Sequence, residues 1–396
     1  MIRHIIKLIW NRRRSLAWIF TEQSLVFAVM LFIFTTSVNK VTQYYSKGNL
    51  NMKDISFITF MELNRDELEE DEKDANHAQF KNMVVRMKEW PTVELVSINA
   101  NGATPGTGNL RRDSISFNDG RYMADIKFCD ENYYRIFSPK LTEGEWFRDD
   151  DVSEIPPALI TQRLAERIGL TGSAIGQNIY YNGIVYRITG VVEAFKMRST
   201  QEQTASLFLP FSVSANTGRN WECVVKFKPG MRDDFSRAFL TEFYRNFPRD
   251  QVMPAIIDLD KLNVQMQFLE FKLFFFILMI PTAFLLIFAF LGTFGLVWVQ
   301  SKKRMSELGL RMALGCTPAR LQRTIIFENL ILTNFAMLPG LIVMANLYAF
   351  APKGWEWIVA VGAAIVLMWL FAAFSAWYPA RKAAKVQPVE ALRQNQ

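Results

Sequence analysis

Four long apolar runs constrain this chain more than any other feature, because each is long enough to cross a hydrocarbon core, which takes about 20 residues of helix. They cover residues 16–38, 272–299, 324–350 and 356–378. The first carries Glu22 and Gln23 near its start, whereas 273–299 holds no charge at all. Each run is read as a transmembrane helix.

Lysines and arginines in the flanks predict the direction, since cytoplasmic segments hold an excess of them. Arg3, Lys7, Arg12, Arg13 and Arg14 precede the first run, Lys302, Lys303, Arg304, Arg311, Arg320 and Arg323 lie between the second and third, and Arg381, Lys382, Lys385 and Arg393 follow the fourth. Only Lys353 sits between the third and fourth. Both termini, the segment 301–323 and the tail 379–396 are therefore expected in the cytosol, and residues 40–270 outside it. The first run exceeds a usual signal-peptide core and lacks a small-x-small cleavage site, so an uncleaved anchor is expected. Residues 1–15 place Ile2, Ile5, Ile6, Ile9 and Trp10 at helical spacing among cations, the pattern of an amphipathic helix at the lipid surface.

Composition excludes several function classes. Half of the 396 residues are apolar and 33 are Phe, rich for a soluble protein and poor for one made only of spans, so a mixed architecture follows. The net charge of +7 comes from cations beside apolar runs rather than on one face, a pattern of topology and not of nucleic-acid binding. Three Cys (129, 223, 316) without CxxC spacing and two His (4, 77) give no metal or redox motif. Cys129 and Cys223 can pair only on an oxidising side of the membrane, and buried inert thiols are the expected state.

Residues 40–270 read as a mixed α+β domain. Strands are predicted at 54–61, 93–98 and 158–161, helices at 75–90 and 162–168, and a hairpin over 179–192 turning at Asn182-Gly183, where both positions tolerate positive φ. Glu62, Asp66, Glu67, Glu69, Glu70, Asp71, Glu72 and Asp74 form an acidic run without EF-hand spacing, so a solvated face is expected rather than a cation site. The Gly-Pro-Thr stretch 101–108 is expected to be a mobile loop.

Several segments, in fixed order, resemble the FtsX/MacB (type VII, mechanotransmission) family of ABC transporter permeases. In the outside domain these are Asp130-Glu131-Asn132-Tyr133-Tyr134-Arg135-Ile136-Phe137, Leu141-Thr142-Glu143-Gly144-Glu145-Trp146-Phe147, residues 158–168 followed by Ile175-Gly176-Gln177 and Ile188-Thr189-Gly190-Val191-Val192, and Phe208-Leu209-Pro210. On the cytosolic side they are Ser306-Glu307-Leu308-Gly309-Leu310-Arg311-Met312-Ala313-Leu314-Gly315 and the tail Tyr378-Pro379-Ala380-Arg381, then Pro388-Val389-Glu390-Ala391-Leu392-Arg393. Glu145 stands where the family usually has Arg, and residues 47–109 do not align with it.

The resemblance implies a fold of four transmembrane helices plus a MacB-like periplasmic core domain, in a bacterial inner membrane. It implies a permease subunit that couples ATP hydrolysis by a separate ATPase to motion outside the cytosol, for export of a peptide, drug or lipoprotein. The alternative it leaves is an FtsX-like scaffold that regulates cell-wall hydrolases. Implied partners are an ABC ATPase of the MacB/LolD kind, a second permease copy or paralogue, membrane lipid, and a periplasmic adaptor or outer-membrane channel. No G-x-x-x-x-G-K-[ST] loop occurs in this sequence, so ATP and Mg are expected on the partner and no enzyme activity is expected here. Arg304, Glu307, Leu308, Gly309, Leu310, Arg311, Met312 and Gly315 are the expected ATPase contacts, on a short helix bounded by Gly309 and Gly315 and followed by a new start near Thr317-Pro318. Glu22, an ionisable group inside a span, is expected at a dimer interface or at the span's end. Pro281, Gly292 and Gly295 are expected to permit a kink and close helix approach.

Overall fold

The computed structural model describes residues 13–63, 69–107, 111–150, 153–213, 221–347 and 354–384. The expected interfacial helix at 1–15 lies almost wholly outside them, as do Asp66 and Glu67 of the acidic run, Lys353, and the tail motif 388–393. The chain divides into two compact units, Gln43–Glu270 and the remainder, Met1–Thr42 with Phe271–Gln396.

The elements, in chain order, are α1 (Arg13–Tyr45), β1 (Ile55–Glu62), α2 (Glu70–Met87), β2 (Val93–Ala100), β3 (Arg112–Phe117), β4 (Gly120–Cys129), α3 (Asn132–Phe137), β5 (Leu141–Gly144), β6 (Pro157–Thr161), α4 (Gln162–Arg167), β7 (Asn178–Tyr181), β8 (Ile184–Val192), β9 (Ser206–Pro210), β10 (Trp221–Phe227), α5 (Arg232–Asn246), β11 (Val252–Asp258), α6 (Leu259–Lys303), α7 (Met305–Ala313), α8 (Pro318–Leu347) and α9 (Trp355–Ala383).

In the membrane unit four helices are long and apolar enough to span: Phe20–Tyr45 of α1, α6, Pro318–Asn346 of α8, and α9. At 1.5 Å per residue the 45 residues of α6 reach about twice the thickness of a hydrocarbon core. The helix runs through Pro281 as one element, so the expected kink is not a break. Val26, Phe27, Met30 and Leu31 of α1 pack with Ala289 of α6, Met337 and Met344 of α8, and Ala364 and Met368 of α9. A face of small residues on α9, Ala360, Ala364, Ala372, Ala376 and Ala380, is fully buried, as close helix approach without a hydrophobic driving force requires. Gly340 serves the same end, since a Cβ there would come 2.8 Å from Cδ1 of Phe27.

Polar side chains stitch the bundle across helices. Thr333 donates to Oε1 of Gln23 at 2.9 Å, Asn329 Nδ2 donates to the Ala372 carbonyl at 2.8 Å, and Ser24 donates to the Ala336 carbonyl at 2.6 Å. Among the described residues little of the α6 apolar stretch is covered by the rest of the chain.

The other unit is built on one branched sheet, ordered β11-β1-β10-β2-β4-β3-β7-β8-β6-β9, with β5 on β8 and a β4–β9 pairing. That last pairing closes β4-β3-β7-β8-β6-β9 into a ring around Ile126, Ile160, Tyr186, Ile188, Leu207 and other buried apolar side chains. The remaining four strands, with α2 between β1 and β2 and α5 between β10 and β11, form a split β-α-β-β-α-β layer into which the ring is inserted.

Alternation along β10 assigns its faces: Cys223, Val225 and Phe227 meet Phe80 and Met83 of α2 and Phe235, Phe239 and Phe243 of α5, while Val224 faces Tyr133, Trp146 and Phe208. Phe235, Phe239 and Phe243 stand at i, i+4 and i+8, one helix face, which accounts for part of the unusual Phe content. Cys129 and Cys223 are free and buried in two separate clusters. The predicted hairpin is present, with Asn182 and Gly183 both at positive φ. The helix expected at 75–90 starts earlier, because Glu69 and Glu72 form a capping box and Glu70, Asp71 and Glu72 occupy the first turn, where acidic groups offset the helix dipole. Much of the acidic run is therefore a helix start.

The loop after β2 departs from its expected mobility. Gly102, Ala103, Thr104 and Pro105 are buried, held by three side chains from three elements. The Glu222 carboxylate accepts from the Gly102 and Thr104 amides at 2.9 Å each, Lys127 Nζ donates to the Gly102 carbonyl at 2.9 Å, and the Tyr133 hydroxyl donates to the Ala103 carbonyl at 2.9 Å. Burial pushes the Lys127 pKa down to about 8 although Asp125 and Glu222 favour its charge.

An unfolded lysine titrates near about 10.4 and so binds more proton than Lys127 between pH 8 and that value; wild-type stability in this window rises with pH on account of this group. Relative to Lys127→Met, the full-length wild type should gain up to about 3 kcal/mol across that window, and gain nothing below it. Denaturant unfolding of both proteins in detergent, followed by near-UV circular dichroism at several pH values, measures the difference.

Candidate functional site

The candidate site is the short connection between α6 and α8. α6 ends at Lys303, and Arg304 leaves helical geometry (φ −104°, ψ 14°) before α7 begins at Met305. Arg304 then ties the connection together. Its NH1 donates to Glu328 of α8 at 2.7 Å and its Nε to Glu307 at 3.3 Å, while Glu307 also accepts from Arg311 NH2 at 2.6 Å. The guanidinium is largely buried, with only 11% of the side chain exposed. Burial works against its charge, yet Glu328 and then Glu307 outweigh that and raise its pKa above the ordinary arginine value.

α7 closes with a local motif. The Cys316 amide donates to the Arg311 carbonyl and the Gly315 amide to the Met312 carbonyl, both at 3.0 Å, with Gly315 at φ +94°. This is the Schellman arrangement, and a Cβ at that φ would be strained. Thr317 then caps α8, its Oγ1 accepting from the Arg320 amide at 3.4 Å, and Pro318 takes the first helical position, where a missing N–H costs nothing.

The two faces of α7 differ in chemistry. Leu308 and Gly309 are buried, and Leu308 packs on Leu321, Ala383 and Ala384 with Met312, Cys316 and Ile325 around it. Leu310 and Leu314 point away from the chain, 53% and 79% exposed, one helical turn apart. Lys302, Lys303 and Arg320 are exposed beside them.

Of the predicted contact residues, Leu310 is outward, Arg304, Glu307 and Arg311 form the ion cluster, Gly315 is the exposed cap, and Leu308, Gly309 and Met312 face the chain's own core. Gly309 is inside α7, not its boundary, because Arg304 starts the helix a full turn earlier. Two participants were missed: Leu314, legible as the i+4 neighbour of Leu310, and Glu328, which no local pattern couples to Arg304 because it is 24 residues away.

Glu22 sits in the first turn of the apolar part of α1, against α6 at Gly292, where an added Cβ would come 2.5 Å from its Oε1. The close approach expected at Gly292 is thus made by a side chain, while Gly295 has open space before it. No group of three His, Cys, Asp or Glu suited to a metal ion occurs among the described residues.

Comparison with known proteins follows the two units. Residues 24–238 match the MacB-like periplasmic core domain, and residues 279–388 match the FtsX-like permease C-terminal family. The uncharacterized ABC transporter permease YknZ of Bacillus subtilis is 22% identical over 280 residues, 68% of this chain and 70% of its own length. The macrolide export ATP-binding/permease protein MacB of Escherichia coli K12 is 23% identical over 307 residues, 73% of this chain and 46% of that protein. The chain thus spans less than half the length of its MacB relatives. Among solved structures, the periplasmic region of MacB from Actinobacillus actinomycetemcomitans aligns with a TM-score of 0.38 at 15% identity, covering 55% of this chain and 94% of that one.

Arg304→Met should leave Glu328 half-buried without its cation and cost about 3 kcal/mol, whereas Arg311→Ala removes a half-exposed pair and should cost less than about 1 kcal/mol. Thermal unfolding of the two full-length variants in detergent checks the ranking; equal losses would contradict the assignment of Arg304 as the hub.

Proposed function

This chain belongs to the FtsX/MacB family of ABC transporter permeases, and we propose that α7 is the segment through which a separate cytosolic ATPase drives it. The observation that carries this is the two-faced construction of α7. A nine-residue helix braced on α8 by Arg304, Glu307 and Glu328 presents Leu310 and Leu314, which none of the described residues covers.

Exposed leucines on a rigid, short helix are costly in water and suited to a partner's groove. In this reading Leu310 and Leu314 fill the groove, Arg311, Lys302 and Lys303 meet its rim, and Leu308, Gly309 and Met312 transmit the load inward to α8 and α9. Arg304 and Glu307 keep the helix rigid, and Gly315 lets the chain turn back into α8. ATP and Mg²⁺ are held by the ATPase.

The chain is a multi-pass membrane protein. The excess of cations around α7 and near both termini supports placing those segments in the cytosol, with Gln43–Glu270 on the outer side of a bacterial inner membrane. Family membership supports a second permease subunit as partner. The name of the MacB relatives supports export as the process, with a peptide, drug or lipoprotein taken from the outer side as cargo.

Leu310→Asp with Leu314→Asp buries nothing in the free permease and should leave its melting temperature unchanged. It should lower retention of the co-expressed neighbouring ABC ATPase about tenfold or more, since two charges would replace an apolar contact worth several kcal/mol. Co-purification in detergent, read by quantitative gel, tests this; full retention of the ATPase would overturn the reading.

A further inference from the structure

One buried segment of the outer unit has no regular secondary structure, although connecting segments normally run over the surface where water satisfies their backbone. Residues 194–203 follow β8, and within them Phe195, Lys196, Met197, Ser199 and Thr200 are buried. A buried irregular stretch must have its polar groups met by partners, and here the partners are two helices.

The first is the end of α1. Lys196 Nζ donates to the carbonyls of Gln43 at 2.5 Å and Ser46 at 2.8 Å, so an ammonium caps the C-terminus of α1, where unpaired carbonyls and the negative end of the helix dipole favour a cation. The Lys196 amide also donates to the Gly48 carbonyl at 3.0 Å, and Gln203 Nε2 to the Lys47 carbonyl at 3.2 Å. Gly48 allows this closeness, because a Cβ there would lie 3.1 Å from the Phe195 amide nitrogen.

The second is the opening of α6. Arg198 NH1 donates to Glu270 at 2.9 Å, the Thr200 hydroxyl donates to the other oxygen of that carboxylate, and Asn263 Nδ2 donates to Ser199 Oγ at 3.4 Å. Between these two grips the segment is rooted in the sheet. Phe195 packs edge-on against Phe208 of β9, with centroids 5.1 Å apart, and Lys127 of β4 donates to Met197 Sδ at 3.1 Å.

We propose that residues 194–203 are a strap that fastens the outer ends of α1 and α6 to the sheet, with Lys196 and Arg198 as positioning residues that carry helix movement into the outer unit. The inference rests on the permease reading above and extends it to the place where movement enters the sheet. α1 and α6 each pass directly from one unit into the other, and the strap grips both through a cation: Lys196 on a helix C-terminus, and Arg198 with the Thr200 hydroxyl on a carboxylate. Loss of either grip frees one helix end while leaving the sheet's own hydrogen bonds and its apolar cores untouched.

The test uses the full-length permease with its co-expressed ATPase, Cys316→Ser, and spin labels at Arg121→Cys in β4 and Gly354→Cys before α9. Inter-label distances are measured with and without a non-hydrolysable ATP analogue, beside ATP turnover and melting temperature. The wild type should show a nucleotide-dependent shift that Lys196→Met and Arg198→Met each lose at unchanged ATP turnover, and that Lys196→Arg restores. A shift of wild-type size in both Met variants overturns the strap and leaves the permease reading standing. No shift in the wild type overturns the permease reading and the strap with it.

Hydrogen exchange on the unsubstituted complex needs no variant to fold. The amides of Lys196 and Thr204, which donate to Gly48 and Phe195, should stay protected with and without nucleotide. Rapid exchange at both in the nucleotide-bound complex would show the strap open during the cycle and contradict the proposal.

Discussion

Hydrocarbon offers a peptide group no hydrogen-bond partner, and each unmet N–H or C=O there costs several kcal/mol. Helices satisfy their own backbone, so the four apolar stretches of this chain are helices, and the sheet with its branch and open edges belongs in water. The same rule extends to side chains inside the bundle. Thr333, Asn329 and Ser24 each donate to a neighbouring helix or to their own preceding turn, so polar groups in the spans hold helices together. What hydrocarbon cannot accommodate is pushed to the two ends of the helices. The short braced helix α7 follows one such end, and the buried segment 194–203 grips two others.

Both places use the same physical device. A buried cation is met by several acceptors at once: Glu328 and Glu307 for Arg304, the carbonyls at and just past the end of α1 for Lys196. Removing one partner of such a group leaves a buried charge or a set of bare carbonyls, so the arrangement is held over more tightly than an exposed ion pair would be. The leucines beside Arg304 show the opposite economy. Leu308 is spent on the chain's own core and Leu310 and Leu314 are left uncovered, which makes the surface of α7 apolar where the surrounding segment is basic.

Much of this was legible in the residues. Hydropathy located the spans because a helix in lipid must be apolar on nearly every side, and Asn182-Gly183 located its hairpin because few dipeptides tolerate two positive φ values in succession. Helix ends were less legible: α6 begins at Leu259, well before its apolar run, since 259–270 is paired with the outer unit's own segments and not selected for hydropathy. The loop 101–107 reads as mobile from its Gly, Pro and Thr, yet Glu222, Lys127 and Tyr133 bury it from positions far along the chain. The same blindness to distance hid Glu328 from Arg304 and turned Leu308 and Gly309, expected in a partner's groove, toward the core.

A cytosolic drive through α7 requires that α7 and the outer unit lie on opposite faces of one membrane. Cys316 is the one thiol of this chain that is not buried, and it lies just past α7, so it reports that face without substitution. Tyr180→Cys, on the exposed face of β7, reports the other. A membrane-impermeant maleimide applied to intact cells, stripped of outer membrane where they have one, should label the Tyr180→Cys thiol at once and Cys316 only after the membrane is opened. Labelling of both from the same side would contradict the topology, and with it the idea that a cytosolic motor moves this protein's outer domain.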